Sequence, residues 1–357
     1  MERKKAFIAM SGGVDSSVAA YLMKEAGYDC LGGTMYLLGH CPGCGGLTPD
    51  SCRDARAVAD RMGMEHLVLD YSDFFAAHIM TPFVESYEGG TTPNPCFLCN
   101  RLLKFGILLE AGLSHGCDTI VTGHYARIGF NESTGRWELR KAVHLNKDQS
   151  YFLSGLSQEQ LSRIRFPLGE FTKDQVREIA DAQGFVTARK KDSQDVCFIP
   201  DGDYRRFMER YTGKTYPAGD FLDLDGHVIG RHTGAVSYTL GQRKGLGLAM
   251  GTPVYVCSKD MEQNTVTVGP ESALFHRSLT AEQMNWISIS APAAPIRVLA
   301  KARYRMTEQP AWAEPQEDGS VRVVFDEPQR ALTPGQAVVF YEGDCVVGSG
   351  TITNVME

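Results

Sequence analysis

Two groups of residues in this chain have types and spacing that do chemistry: the run Ser11-Gly12-Gly13-Val14-Asp15-Ser16-Ser17, and the cysteines Cys96, Cys99 and Cys197. Adjacent glycines let a backbone approach an anion closely, and the free amides at the start of a helix face it with the positive end of the helix dipole. Ser11, Ser16 and Ser17 add hydroxyl donors, so the run reads as a phosphate loop. A glycine pair alone would equally be an ordinary capped turn; the longer string is more specific, and it lacks the Gly-Lys-Ser/Thr ending of a Walker loop. Asp15 is out of place among anion-binding groups unless a divalent cation lies beside it. Cys96 and Cys99 fall near a helix start, where the dipole, with Arg101 and Lys104, favours a thiolate. Cys197 lies in a polar stretch ahead of Pro200, which leaves it accessible. Reactive cysteines beside a phosphate loop point to sulfur attack on an activated carbon. A persulfide on one cysteine can deliver the sulfur and leave both thiols joined as a transient disulfide.

The elements that must position these groups follow from the hydrophobic pattern. Ala6 to Met10 is a short apolar strand, and Val18, Ala19, Ala20, Leu22 and Met23 share a helical face that Gly27 ends. Asp29 to Met35 is a second strand, followed by a glycine-rich loop. Ser51 is expected to cap a helix with Ala55, Val58, Ala59 and Met62 inward, and residues 65–70 form a third strand. Ser72 opens a helical stretch kinked at Pro82. The turn at 89–95 leads into an amphipathic helix carrying Leu102, Leu103, Phe105, Ile107 and Leu108. Asp118 to Thr122 is a strand ending in Gly123-His124-Tyr125. This alternation predicts an α/β fold with a doubly wound parallel sheet and its ligand at the carboxyl ends of the strands. Residues 126–143 read as an inserted β-hairpin, and Thr172 caps a helix with Val176, Ile179 and Ala180 inward. Beyond residue 200 short strands and turns dominate after a helix at 203–211, and the final segment alternates as a small β-barrel. The predicted domains are residues 1–200, 201–277 and 278–357.

The chain has 357 residues and a net charge of −7, which argues against binding nucleic acid by bulk charge. Local basic clusters remain at Arg189-Lys190-Lys191, Arg205-Arg206, Arg243-Lys244 and Lys301-Ala302-Arg303-Tyr304-Arg305. No apolar run is long enough to span a bilayer, and Met1-Glu2-Arg3-Lys4-Lys5 leads straight into a strand, so no membrane association and a cytoplasmic location are expected. There, the ten cysteines are not structural disulfides. Cys30, Cys117, Cys257 and Cys345 sit in apolar or strand settings as free thiols. Cys41, Cys44 and Cys52, with His40, form a possible zinc set against the simpler reading of an unligated loop.

The loop at 11–17 resembles the pyrophosphate loop of the ATP pyrophosphatases, which split ATP into AMP and pyrophosphate while adenylating an oxygen. Further segments extend the likeness: Thr92-Pro93-Asn94-Pro95 with Cys99-Asn100, Gly123-His124-Tyr125-Ala126-Arg127, Asn146 to Leu153, Lys191-Asp192-Ser193 with Cys197-Phe198-Ile199, and Thr239 to Gly247. Together, and in order along nearly the whole chain, they resemble the tRNA-specific 2-thiouridylases, which replace the carbon-2 oxygen of the wobble uridine with sulfur. The resemblance implies a pyrophosphatase-type ATP domain, a small central domain and a C-terminal β-barrel. It implies ATP, with Mg²⁺, at Ala9, Met10, Ser11, Gly12, Gly13, Val14, Asp15, Ser16, Met35 and Gly123. Cys99 would be the nucleophile that ends in the disulfide, and Cys197 would carry the persulfide. Asn94, Pro95 and Cys96 would border the flipped base. His124, Lys147, Asp148, Gln149, Arg303, Tyr304 and Gln336 would contact tRNA. An upstream sulfur donor or relay protein is a further implied partner.

Cys96 stands where that family most often has Asp. Three thiols then allow an iron–sulfur cluster held by Cys96, Cys99 and Cys197, with donor sulfur on the open iron, as an alternative to the persulfide. Two other readings are ligation of an amine by a related ATP loop, and a non-catalytic sulfur carrier or tRNA-binding protein with a vestigial loop.

Overall fold

The computed structural model describes residues 3–39, 49–190 and 196–356. Cys41, Cys44 and His40 of the expected zinc set, and Lys191, Asp192 and Ser193, lie outside the described residues.

The first sheet contains β1 (Lys5–Ala9), β2 (Asp29–Tyr36), β3 (His66–Asp70), β4 (Thr119–Val121) and β7 (Ile164–Arg165) in the order β3-β2-β1-β4-β7. All its pairings are parallel. Chain order reverses between β1 and β4, so the loops leaving those two strands face each other across the switch point where such sheets bind ligands. β1 is apolar on both faces, with Ala6, Phe7 and Ile8 fully buried, as a central strand between helical layers must be. Helix α1 (Val14–Glu25) leaves the loop after β1 and packs Val18, Ala19 and Ala20 inward. Helix α2 (Pro49–Arg61) buries Ala55, Val58 and Ala59 as expected, but it starts at Pro49, so Ser51 lies in its first turn and does not cap it.

The irregularity expected at Pro82 takes the form of a π-helical turn, Ala76–Met80, ahead of a helix in which Pro82 occupies the first turn, where its missing N–H costs nothing. The helix after the Pro-Asn-Pro turn has π-type hydrogen bonding from Cys99 to Ile107 and kinks at Gly106, whose φ of −100° and ψ of −107° are not helical, with Leu103 and Phe105 buried. Thr172 caps the helix Lys173–Ala182 in a capping box with Gln175, and Val176 and Ala180 are fully buried. Among the described residues no helix is long and apolar enough to cross a membrane.

The hairpin β5 (Ala126–Asn131) and β6 (Arg136–Lys141) matches the predicted insertion. A four-stranded sheet follows, β8 (Gly219–Leu222), β9 (Val228–His232), β10 (Tyr255–Asp260) and β11 (Thr265–Gly269), in the order β10-β11-β8-β9. The last six strands are β12 (Phe275–Trp286), β13 (Ile296–Lys301), β14 (Gln309–Pro315), β15 (Val321–Arg330), β16 (Ala337–Glu342) and β17 (Cys345–Met356). The β12–β17 pairing closes them into an antiparallel barrel, which leaves no free edge. Its core is dense in small and β-branched side chains, including Ala300, Ala311, Val323 and Val338 around Phe325 and Phe340. The hairpin joins this barrel where Arg140 pairs with Cys345, so one continuous sheet runs from the first domain into the last.

Candidate active site

The loop between β1 and α1 has the geometry of an anion nest. Gly12 has φ +69°, and a Cβ there would lie 2.2 Å from the Ser51 carbonyl oxygen, so only glycine fits. Gly13 precedes the first helical residue, Val14. Ser16 Oγ lies 3.2 Å from the Ser11 amide and 3.3 Å from Ser11 Oγ, and donates to the Gly13 carbonyl at 3.1 Å. Ser17 Oγ donates to the same carbonyl at 2.9 Å and lies 3.0 Å from Thr187 Oγ1. These two hydroxyls therefore brace the loop.

Asp15 is paired within the chain. Lys173 Nζ donates to both its carboxylate oxygens at 2.8 Å, and the Tyr125 hydroxyl donates to Oδ1 at 2.8 Å. The cation that the sequence asks for beside Asp15 is thus a buried lysine of the chain itself, across 158 positions of sequence. Lys190 Nζ donates to the Gly12 carbonyl at 2.9 Å and pairs with Asp54 at 2.8 Å, so one of the basic clusters belongs to this loop. From the other side of the switch point Gly123 presses on the loop. A Cβ on it would lie 2.7 Å from Asp15 C and Ser16 N. Met35, buried near the carboxyl end of β2, completes the set of expected ATP residues at this edge of the sheet.

The thiols are set by a second group of elements. Asn94 caps the short helix Pro95–Leu98, its Oδ1 accepting from the Phe97 amide at 3.2 Å. Cys96 is exposed on this helix, and Cys99, buried, starts the π-helix. Cys197 reaches them from a distant segment because its neighbour Phe198 is anchored among aromatic rings, with centroids 5.6 Å from Phe75, 5.2 Å from Phe83 and 5.1 Å from Phe207. Cys96 and Cys197 meet solvent but are crowded by protein, as at the floor of a cleft. That crowding raises all three thiols: Cys99 is pushed up to about 11 and Cys197 to about 12, and Cys96 is also raised. Beyond burial, Cys197 is raised by Cys99 and then Cys96, which brings the three sulfurs into one electrostatic neighbourhood. Lys104 alone opposes the shift at each of them among side-chain charges.

This corrects the expectation from helix position: desolvation outweighs the dipole, and the thiol form is favoured. Arg101 is exposed and contributes nothing resolved to these thiols. Among the described residues, the one group of three Cys, His, Asp or Glu whose ligand atoms all lie within 4.8 Å is the turn Asp223, Asp225 and His227; the three thiols stand wider apart than that. Each is a free thiol.

His124 links the loop and the thiols. Its Nδ1 lies 2.7 Å from Thr122 Oγ1 and its Nε2 lies 3.4 Å from Lys104 Nζ, while Phe105 and Phe166 pack around the ring. Burial first, then the Lys104 charge, holds its pKa well below the usual histidine range.

The remaining expected contacts are built into the frame. Asp148 is buried and accepts from the Ala142 amide at 2.9 Å and Ser150 Oγ at 2.7 Å; Gln149 Oε1 accepts from the Tyr125 amide at 2.9 Å. Lys147 ends a 3₁₀ turn beside them. Tyr304 packs against Phe152 with ring centroids 4.4 Å apart and planes tilted by 38°, and donates to the Asp148 carbonyl at 3.2 Å. Arg303 reaches Thr333 Oγ1 and donates to the Leu240 carbonyl at 3.0 Å, tying the barrel to the turn between β9 and β10. Gln336 Nε2 donates to the carbonyls of Thr92 at 2.9 Å and Pro93 at 3.0 Å, so the barrel holds the loop that carries Asn94, Pro95 and Cys96. Sequence reading missed Lys173 and Tyr125 at the phosphate loop, because their pairing with Asp15 is visible only once the helix Lys173–Ala182 is laid against α1.

The tRNA-specific 2-thiouridylase MnmA of Heliobacterium modesticaldum is 49% identical to this chain, covering 98% of it and 92% of the relative. The enzyme of the same name from Acetivibrio thermocellus is 47% identical, covering 99% of this chain and all of the relative. The chain belongs to the tRNA-specific 2-thiouridylase family. Within that family the three units described above match successive models: a tRNA methyl transferase HUP domain over residues 4–201, a tRNA methyl transferase PRC-barrel domain over 205–270, and an aminomethyltransferase beta-barrel domain over 276–352. ATP use fits the HUP fold and the phosphate loop.

Proposed function

We propose that this chain replaces the carbon-2 oxygen of a tRNA wobble uridine with sulfur, using ATP. The observation that supports the reading is that Gly123 lies against the phosphate loop while its neighbour His124 meets Lys104, the lysine whose charge acts on all three thiols. ATP binds on the loop from Ala9 to Ser16 and against Gly123, where Mg²⁺ would neutralise the charge that develops on the leaving pyrophosphate. The uridine carbon-2 oxygen attacks the α-phosphate and pyrophosphate leaves, turning that oxygen into a leaving group. The terminal sulfur of a persulfide on Cys197 then attacks carbon 2 and AMP departs with the oxygen. Cys99 thiolate attacks Cys197 Sγ, forming the Cys99–Cys197 disulfide and releasing the thiolated uridine. An external dithiol or relay protein reduces the disulfide, and an upstream donor reloads Cys197. Asn94, Pro95 and Cys96 border the base, and His124, Lys147, Asp148, Gln149, Arg303, Tyr304 and Gln336 shape or line the tRNA-facing side.

Mass spectrometry of tRNA nucleosides after incubation with ATP and a persulfide donor tests this. Wild-type protein forms 2-thiouridine, whereas Cys99→Ser and Cys197→Ser each abolish it; full thiolation by either variant contradicts the assigned roles.

A second reading is favoured by Cys96, which joins Cys99 and Cys197 in one neighbourhood. The three thiols fit the donor set of an iron–sulfur cluster, which would supply the donor sulfur. Anaerobic purification with iron and sulfide analysis separates the two: iron-free protein with full activity from a persulfide eliminates the cluster.

A further inference from the structure

Asn100 follows Cys99 in sequence and has no part in the scheme above. It is 2% exposed, and its side chain is half satisfied. Nδ2 donates to the Phe152 carbonyl at 3.0 Å. A carbonyl can only accept, so the amide cannot be turned round, and Oδ1 is the end left over. That oxygen is buried with no hydrogen-bond partner. Buried acceptors are seldom left open, so this one calls for a donor from a ligand. The helix says where the oxygen stands. Leu98 and Cys99 keep α-helical dihedrals, so Cys96, Cys99 and Asn100 fall at i, i+3 and i+4 on one face. Cys96 meets solvent, and Asn100 lies buried one turn, about 5.4 Å, further along. Cα–Cβ bonds lean toward a helix's N-terminus, which tilts the Asn100 amide toward the turn that carries Cys96. At that N-terminus Asn94 commits Oδ1 to the Phe97 amide, leaving Nδ2 as a donor.

We propose that Asn100 is a specificity-determining residue whose Oδ1 accepts the N3–H of the flipped base and so selects uracil. The role rests on the thiolation reading, in which Asn94, Pro95 and Cys96 border that base. Uracil presents one donor, N3–H, between two acceptors, O2 and O4. The Asn100 acceptor beside the Asn94 donor matches N3–H beside O4. Cytosine has a lone pair at N3, which faces Oδ1 acceptor to acceptor, and its 4-amino group replaces the oxygen that Asn94 would bind. Discrimination thus comes from a repulsion as well as an attraction. The edge that carries N3 is free to be read only once the nucleotide has left the stack. Carbon 2 is bonded to N3, so the same hydrogen bond also positions the oxygen to be adenylated.

The test measures equilibrium binding of anticodon stem–loops bearing uridine, cytidine or 3-methyluridine at the wobble position. The full-length protein is used as wild type, Asn100→Ala and Asn100→Ser, with thermal melting to show that each variant folds. Wild type is expected to bind the uridine stem–loop about tenfold more tightly than either analogue, since each leaves Oδ1 without its donor. In Asn100→Ala the uridine stem–loop weakens about tenfold and the three affinities converge to within about twofold, while Asn100→Ser, which keeps a hydroxyl acceptor, lies between. A substitution that merely loosened the helix would weaken all three alike and keep the ratio. Wild type that binds uridine and 3-methyluridine equally overturns the proposal with no variant needed, as does a folded Asn100→Ala that keeps the wild-type ratio. If wild type makes no 2-thiouridine but prefers the uridine stem–loop, and Asn100→Ala loses that preference, the thiolation reading fails and the recognition by Asn100 stands.

Discussion

Replacing Gly123 by alanine probes whether the strand after the switch point fixes the geometry of the phosphate loop. The φ of Gly123 lies outside the left-handed region, so alanine can adopt the backbone and any effect comes from contact alone. The added methyl would stand 2.7 Å from Asp15 C and Ser16 N and 2.8 Å from Asp15 Cβ, all of them on the first turn of α1. Ordinary contact begins near 3.4 Å, so backbone must yield by about 0.7 Å in a packed setting with no flexible side chain to take up the strain. Overpacking of this kind costs about 1–3 kcal/mol. If that cost falls on the geometry that holds the pyrophosphate, kcat/KM for ATP drops roughly 5- to 150-fold, since about 1.4 kcal/mol is tenfold. The assay is pyrophosphate release in the presence of tRNA, run beside thermal melting. A variant that folds normally and keeps kcat/KM for ATP within twofold of wild type would refute the assignment of Gly123 to the ATP site.

Lys173→Met strips the main partner from Asp15; removal of one member of a buried pair costs about 3–5 kcal/mol, and the partial exposure of Asp15 brings the expected loss to about 1–2 kcal/mol. A lowered melting temperature, partly recovered by adding Asp15→Asn, checks it, together with a raised KM for ATP. His124 is held neutral in the fold, so the unfolded chain takes up a proton that the native one refuses as pH falls below about 6.5. Stability is therefore lost on the acid side and unaffected above neutrality, and His124→Gln should show a smaller drop in melting temperature between pH 7.5 and 5.5.

The parallel sheet was legible because β1, β2 and β4 are short apolar runs that each end at glycine or a turn, a pattern only central strands produce. The barrel was legible for the opposite reason, alternation with frequent turns. The start of α2 was misplaced because Ser51 has the chemistry of a cap, while the helix already runs from Pro49. The π-helix at Cys99–Ile107 had no signal, since the same apolar spacing suits an α-helix. The thiol shifts also escaped sequence reading. Proximity to a helix start is written locally, but the desolvation that overrides it depends on Phe198 and on segments a hundred residues away. Asp15 shows the same limit, its oddity being visible and its remedy, Lys173, not.

The clasp of Gln336 on Thr92 and Pro93 bears on how the protein is made. A nascent chain can complete the phosphate loop once Gly123, Lys173, Thr187 and Lys190 have been made, but the base-bordering turn is braced by residues 334–336, which are themselves seated by the Gly335 amide on the Ile352 carbonyl at 2.8 Å. The hairpin β5–β6 likewise waits for β17 to supply its partner. Domains fold as they leave the ribosome, amino-terminal first. ATP capture therefore matures before the thiol cleft does, and only a fully synthesised polypeptide presents both halves of the reaction in register.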